Sequence, residues 1–294
     1  MSEKLVTTSE NKYRLKKCIA IHDFSGFGKC SLTIAIPILS ASRVQTAALP
    51  TAVFSNHTAF PDFYSVDLTE HMVPIVNTWK KLNLTSDAIY TGFLGSLEQI
   101  KIVNDIIDDF SKCDRDNKII FVDPVMGDGG KLYKTYTDEM AEGVKSICEK
   151  ADIITPNMTE AARLLGIEYK EGPYTPEFVQ DVLKGLLGLG VKCAVLTGVR
   201  YNDDEVGAAA MGKDGVMYTA FAKRFPGTFY GTGDVLASVM LGQLLNGNGI
   251  HSSLKKAVEF TGKAIANTVE SEFDPIEGVV FETELYQLGI RNEE

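Results

Sequence analysis

KIIFVDPVMGD, residues 118–128, sets four apolar residues against an Asp-Pro turn, with a second acid just after a glycine. A short apolar run stopped by a turn signal reads as a buried strand, and whatever follows it lies at that strand's C-terminal end. Outward from here the arrangement recurs on both sides. Strands are expected at residues 17–21, 44–49, 88–91, 118–122, 152–154 and 192–196, then a hairpin-like pair near 205–211 and 215–221. Helical patterns occupy 31–40, 69–82, 97–110, 138–150, 159–165, 176–187, 234–245 and 252–269. Such alternation makes βαβ units around a parallel sheet. With no internal repeat and no long linker, the fold class is α/β, as one doubly wound domain.

Bulk properties narrow the function. A chain of 294 residues, 45% of them apolar, can bury a substantial core. Its formal charge of −10, from 29 Lys and Arg against 39 Asp and Glu, argues against binding nucleic acid through a basic face. The five cysteines form neither a CxxC pair nor a dense framework, so reduced thiols in a cytoplasmic protein are expected. The opening MSEKLVTTSENKYRLKK is polar and no apolar run reaches membrane length, so neither signal peptide nor span is expected. Residues 1 to about 15 read as a loose tail.

A parallel sheet aims all its strand C-termini at one edge, where open α/β folds bind their ligands. The segments after the expected strands are HDFSGFG (22–28), FSNHT (54–58), TGFLGS (91–96), DPVMGD (123–128), TPNMTE (155–160) and TG (197–198). Nearly every polar or turn-forming cluster of the strand region thus falls on one edge. An active site is expected there.

The later stretch GTFYGTGDVLASVMLG, residues 227–242, places Asp234 at the mouth of an apolar helix. Two readings stand. Thr232 or Asp234 could simply cap the helix while the glycines make a tight turn. Alternatively, amides of Gly231, Thr232 and Gly233 could cradle a phosphate, and Asp234 could take the proton of an incoming hydroxyl. Rival motifs are poorer. SGFGKCS (25–31) resembles a P-loop but has Cys30 where Ser or Thr must reach the metal. As a dinucleotide fingerprint it ends in Ser31, with no acid about 20 residues beyond. His71 and His251 have no carboxylate partners at ligand spacing, so no zinc site is expected.

Taken together, FSNHT, DPVMGD followed by LY (132–133), TPNMTE and GTGD (231–234) resemble, in order and rough spacing, the pyridoxal kinases of the ribokinase superfamily. The resemblance covers about residues 17–281. It implies a ribokinase-like three-layer α/β/α sandwich with a central, mostly parallel sheet, within residues 16–294. It also implies ATP-dependent phosphorylation of the 5′-hydroxymethyl group of pyridoxal, and of pyridoxine and pyridoxamine, in vitamin B6 salvage. Asp234 becomes the base, and Gly231, Thr232 and Gly233 the anion hole. Asp123, Asp128, Asn157 and Glu160 take positions that arrange Mg–ATP, with Asp123, Asp128 and Glu160 on the magnesium side, directly or through water. Tyr133 falls near the γ-phosphate, while Thr197 and Thr232 contact the nucleotide.

The resemblance further implies that Phe54, His57 and Thr58 surround the pyridine ring. A homodimer is also expected from the resemblance, with a monovalent cation as an optional aid to nucleotide binding. Local readings remain open beside these: Asp123 and Asn157 as turn or cap residues, Glu160 as a first-turn acid, His57 as a satisfied loop histidine. Two features depart from the family. Asp23 stands where a serine is common and resembles the D-x-S-G turn of hydroxymethylpyrimidine kinases, and Tyr230 is bulky where a small aliphatic residue is usual. A pyrimidine kinase and a catalytically silent vitamer-binding protein are the alternatives.

Overall fold

The structure, a computed structural model, describes residues 15–112, 115–134 and 136–289. All but the end of the expected N-terminal tail lies outside them, as does Cys113.

Nine strands form one sheet: β1 (Lys16–Ser25), β2 (Val44–Phe54), β3 (Ser65–Asp67), β4 (Ala88–Thr91), β5 (Ile119–Val122), β8 (Ile153–Ile154), β9 (Cys193–Val199), β10 (Glu205–Gly212) and β11 (Met217–Lys223). Their spatial order is β11-β10-β9-β8-β5-β4-β1-β2-β3. The six strands from β9 to β2 run parallel, and the pairs β2–β3, β9–β10 and β10–β11 are antiparallel. A separate two-stranded hairpin, β6 (Gly127–Asp128) with β7 (Lys131–Leu132), projects after β5.

The helices are α1 (Leu32–Ala41), α2 (Thr69–Lys81), α3 (Leu97–Ser111), α4 (Asp138–Cys148), α5 (Met158–Leu165), α6 (Pro176–Leu187), α7 (Thr232–Leu245) and α8 (Ile250–Glu270). Because side chains alternate across a strand, each central strand feeds two cores. Ile120 and Val122 face the core built with α2 to α6, whereas Phe121 faces the core under α1, α7 and α8. Burial on both faces explains why the parallel strands are almost uniformly apolar. The α7 helix is buried from Val235 to Gly242 without a polar stripe, as a helix enclosed on all sides must be. The expected three-layer sandwich is therefore present. Among the described residues, no helix is long and apolar enough to cross a membrane.

Three differences from the sequence reading shape the site. First, β1 and β2 run past the expected ends at residues 21 and 49 to Ser25 and Phe54, with a register shift between His22 and Phe24. Second, the short strand β3 adds to their extension, pairing Phe54 with Ser65. The result is a three-stranded flap standing beyond the sheet edge, which carries Asp23 and Phe54 on strands rather than loops. All three β3 residues are exposed, so no apolar period announced it. Third, α7 begins at Thr232, two residues before the expected start, and this puts Asp234 inside the first turn.

Candidate active site

Gly231 is the N-cap residue of α7 and lies in the left-handed region, at φ 81°. Only glycine fits: a Cβ there would meet Ile34 at 2.5 Å and the Lys29 carbonyl oxygen at 2.7 Å. No side chain caps this helix. Its first amides therefore stay available, and helix N-terminal amides carry partial positive charge suited to a phosphate. Gly233 borders open space, so a ligand can approach its backbone closely. The simple capping reading of Thr232 fails, because its hydroxyl donates to the carbonyl of Phe229 at 3.3 Å and does not turn back onto the helix.

Asp234 borders this cradle. One carboxylate oxygen, Oδ2, accepts from the backbone N–H of Ser31 at 2.9 Å. The carboxyl is pushed up to about 7 by burial, opposed by that hydrogen bond and reinforced by the neighbouring Asp23 carboxylate. Asp23 itself is buried, accepting from Ser31 Oγ at 2.6 Å and Ser25 Oγ at 3.3 Å. Burial raises it, and the two serine hydroxyls hold the rise in check.

Across the strand ends stands a second acidic group. Asp123, just beyond β5, is 7% exposed and raised by burial and then by the charge of Asp234. Glu160 is 4% exposed and raised well above the ordinary carboxylate range by burial and then by Asp123. It forms a reciprocal capping box with Asn157: the Asn157 side chain accepts from Glu160 N at 3.0 Å, and Glu160 Oε2 accepts from Asn157 N at 2.8 Å. Glu160 Oε1 also accepts from Met126 N at 3.2 Å. Both local readings of this pair, cap and first-turn acid, hold. Asn157 further donates to the Gly127 carbonyl at 2.8 Å, tying α5 to the β6–β7 hairpin. Asp128 sits exposed on that hairpin, bonded to the Gly129 amide at 2.7 Å. Tyr133 follows it. Burial raises its hydroxyl, and then the charges of Glu160, Asp128, Asp123 and Asp234 raise it further, which places Tyr133 within the field of all four acids. Thr197, on β9, is partly exposed beside the same turn and donates its N–H to the Pro156 carbonyl at 2.9 Å.

Among the described residues, no Lys or Arg forms an ion pair with Asp23, Asp123, Glu160 or Asp234. A buried acid cluster without a counter-cation is costly for the fold and attracts positive charge. Among the described residues, no three acidic, His or Cys side chains converge into a closed metal cage. That donor set fits magnesium, which keeps several waters and takes one or two carboxylates together with substrate phosphates. With both oxygens already accepting from amides, Glu160 suits a water-mediated part, and Asp123 and Asp128 are the freer carboxylates.

On the flap side, the expected pocket residues have unequal surroundings. Phe54 is buried, edge-on to Phe63 with ring centroids 5.6 Å apart, and Thr58 is exposed. Both nitrogens of His57 are engaged: Nδ1 accepts from Ala59 N at 3.2 Å, and Nε2 bonds the Ile276 carbonyl at 2.5 Å. The proton therefore belongs on Nε2. Burial lowers this histidine, so the ring is neutral at pH 7. The local reading of His57 as a satisfied loop histidine therefore holds. The ring is a satisfied histidine that offers only its face, packed 5.3 Å from Tyr230 and 4.8 Å from Phe60.

Sequence reasoning missed Ser31, which touches both Asp23 and Asp234, and Cys30, whose thiol donates to Ser25 Oγ at 3.3 Å beside the same acids. In sequence their stretch reads as a poor phosphate loop or dinucleotide fingerprint, and neither reading points to these contacts. It also missed His22, fully buried and edge-on to Tyr90 with centroids 4.2 Å apart. A polar residue extending an apolar strand was the only signal for it.

The chain is similar in sequence and fold to several known proteins. A sequence model of the family described as phosphomethylpyrimidine kinase matches residues 47–276. A pyridoxal kinase of Actinobacillus pleuropneumoniae is 30% identical over 253 residues, 83% of each chain. A Bacteroides thetaiotaomicron protein, provisionally named a phosphomethylpyrimidine kinase and solved with pyridoxal, is 38% identical, with a TM-score of 0.89 over 96% of this chain and 98% of that one. A pyridoxal kinase from Lactobacillus plantarum is 29% identical, with a TM-score of 0.84 over 94% and 97%.

Proposed function

This chain belongs to the phosphomethylpyrimidine kinase family, and on that premise we propose that it transfers the γ-phosphoryl group of ATP to the 5′-hydroxymethyl group of pyridoxal, and of pyridoxine and pyridoxamine, in vitamin B6 salvage. The observation that carries the reading is Asp234, placed in the first turn of α7 beside an uncapped glycine turn and anchored through one oxygen by Ser31. Its relatives named pyridoxal kinase and the pyridoxal-bound Bacteroides protein support the substrate.

In this mechanism the turn 231–233 holds the phosphoryl group as its charge develops, and Asp234 orients the alcohol. A bond forms between the alcohol oxygen and the γ-phosphorus while the bond from that phosphorus to the bridging oxygen breaks, and its electrons leave with ADP. The alcohol proton passes to Asp234. Phosphoryl transfer of this kind depends mainly on positioning and charge neutralisation. Asp123 and Asp128 would hold magnesium, with Glu160 acting through water and Asn157 setting the turn. That ion, when bound, neutralises phosphate charge. Tyr133, Thr197 and Thr232 belong to the nucleotide side, and Phe54, the ring face of His57, Thr58 and Tyr230 to the ring side. We also propose a cytoplasmic homodimer whose residues 16–294 form the kinase domain, with a monovalent cation as an optional aid to nucleotide binding.

A second reading has its own support. Asp23 in the D-x-S-G turn, with the family description itself, favours hydroxymethylpyrimidine as an alternative alcohol. Purified protein incubated with Mg–ATP and each vitamer or the pyrimidine should release ADP fastest with pyridoxal. A higher kcat/KM for the pyrimidine would give the second reading precedence, and tight pyridoxal binding without ADP from any alcohol would point to a silent binding protein.

A further inference from the structure

Ser31 has the least comfortable backbone around the site. At φ 50° and ψ −126° it occupies a region that favours glycine, yet it carries a side chain. If the turn alone mattered, glycine would serve better. What serine adds is a hydroxyl, and that hydroxyl makes the 2.6 Å bond to Asp23 Oδ1. The unusual backbone in turn directs the Ser31 N–H onto Asp234 Oδ2 at 2.9 Å. One residue therefore gives a donor to each of two acids that repel one another.

We propose that Ser31 is a positioning residue: it bridges Asp23 to Asp234 and so fixes which oxygen of Asp234 faces the alcohol. The bridge rests on the kinase reading given above. With Oδ2 committed to the Ser31 amide, Oδ1 is left to meet the substrate hydroxyl. Asp23 acts from behind, since its bond to the Ser31 hydroxyl holds the turn in the conformation that aims the amide. Other titratable groups around Asp234 are Cys30 in the same turn, Tyr90 on β4, Asp123 after β5 and Tyr133 after β7, with His22 packed against Tyr90. None of these bridges two carboxylates.

The test compares Ser31→Ala and Ser31→Gly, alone and in an Asp23→Ala background, with melting temperature and ADP binding as controls for folding. Both single variants should lose kcat by about tenfold to a hundredfold, with KM for the alcohol within about twofold, as expected when a reacting group is misplaced without loss of binding. In the Asp23→Ala background, which removes the acceptor, the same substitutions should have little further effect, because partners in one unit are not additive. Independently of turnover, carboxyl titrations followed by ¹³C NMR, assigned with Asp23→Asn and Asp234→Asn, should show Asp23 moving up by about one pH unit in Ser31→Ala, since a lost donor disfavours the charged form.

Wild-type kcat in both single variants overturns the bridge. So does wild-type kcat in Ser31→Gly alone, which would leave only a backbone role, and so does an unmoved Asp23 titration. If the wild-type enzyme phosphorylates none of the alcohols while Asp23 still moves, the kinase reading fails and the positioning role with it, and Ser31 is left as a structural link between the two acids.

Discussion

His57 Nε2 reaches the carbonyl oxygen of Ile276 at 2.5 Å, joining the loop after β2 to a turn 219 residues later in the chain. Tyr230 packs on the same ring, one residue before the Gly231 turn. The flap, the C-terminal segment and the mouth of α7 are therefore clasped together at one imidazole. Replacing His57 by Ala should raise KM for the alcohol more than KM for ATP. It should also lower stability by about 1–3 kcal/mol, the usual effect of losing two hydrogen bonds and some packing. Thermal melts and paired KM determinations check both parts. Equal changes in the two KM values would deny the clasp a role at the alcohol side.

Burial holds two histidines below their ordinary range, His57 in direction and His22 down to about 3. In the unfolded chain each takes up a proton near pH 6.5. A depressed histidine therefore contributes stability that is full above about pH 6.5 and lost progressively as the pH falls from there. Melting temperature should decline below that pH, and His22→Gln should flatten the decline between about pH 6.5 and 4.

Asp234→Asn should reduce kcat by about 10²–10⁴-fold, the range general bases supply, while ADP still binds. Stability should move the other way. A carboxyl raised in the folded state destabilises it at pH values above its titration, so Asp234→Asn should melt higher than wild type at pH 8. That gain should shrink as the pH falls toward 4, where the wild-type carboxyl is protonated. A melting temperature at pH 8 that is lower in the variant would contradict the burial account. For the wild-type enzyme, kcat/KM should rise with pH through an inflection at about 7.

Glu160→Gln separates two roles of one side chain. Glutamine also completes a capping box by accepting from Asn157 N, so α5 should keep its start, although its NH2 cannot accept from Met126 N as Glu160 Oε1 does. Asn157→Ala removes the reciprocal bond and should cost about 0.5–2 kcal/mol. If Glu160 also serves Mg–ATP, the glutamine variant should show a raised KM for ATP at limiting magnesium despite its intact fold. Wild-type KM for ATP across a magnesium titration would leave it as a cap alone.

The two glycines of the turn should behave differently. Gly231→Ala forces a Cβ onto Ile34 and the Lys29 carbonyl at positive φ, so it should destabilise by about 1–3 kcal/mol as well as inactivate. Gly233→Ala meets nothing within 4 Å, so it should fold normally and lose activity only by crowding the phosphate cradle. Melting curves beside ADP-release rates distinguish the pair.

Much of this molecule was readable residue by residue. The runs 88–91 and 176–187 were assigned to the residue because their periodicity and flanking turns are local properties, set by side chains a few positions apart. The gathering of acids at one edge followed as well, since parallel strands must end on the same side. The flap did not follow, because β3 buries none of its three residues and so carries no periodic signal. Nor did the commitments of His57 and Ser31. A histidine's nitrogens or a serine's two donors look free in sequence, and whether Ile276, Asp23 or Asp234 claims them depends on chain segments up to 219 residues away. Local pattern determined which elements form. Only their packing decided which polar atoms were already spent and which remained for a ligand, because hydrogen bonds between distant segments exist only once the hydrophobic cores have brought those segments together.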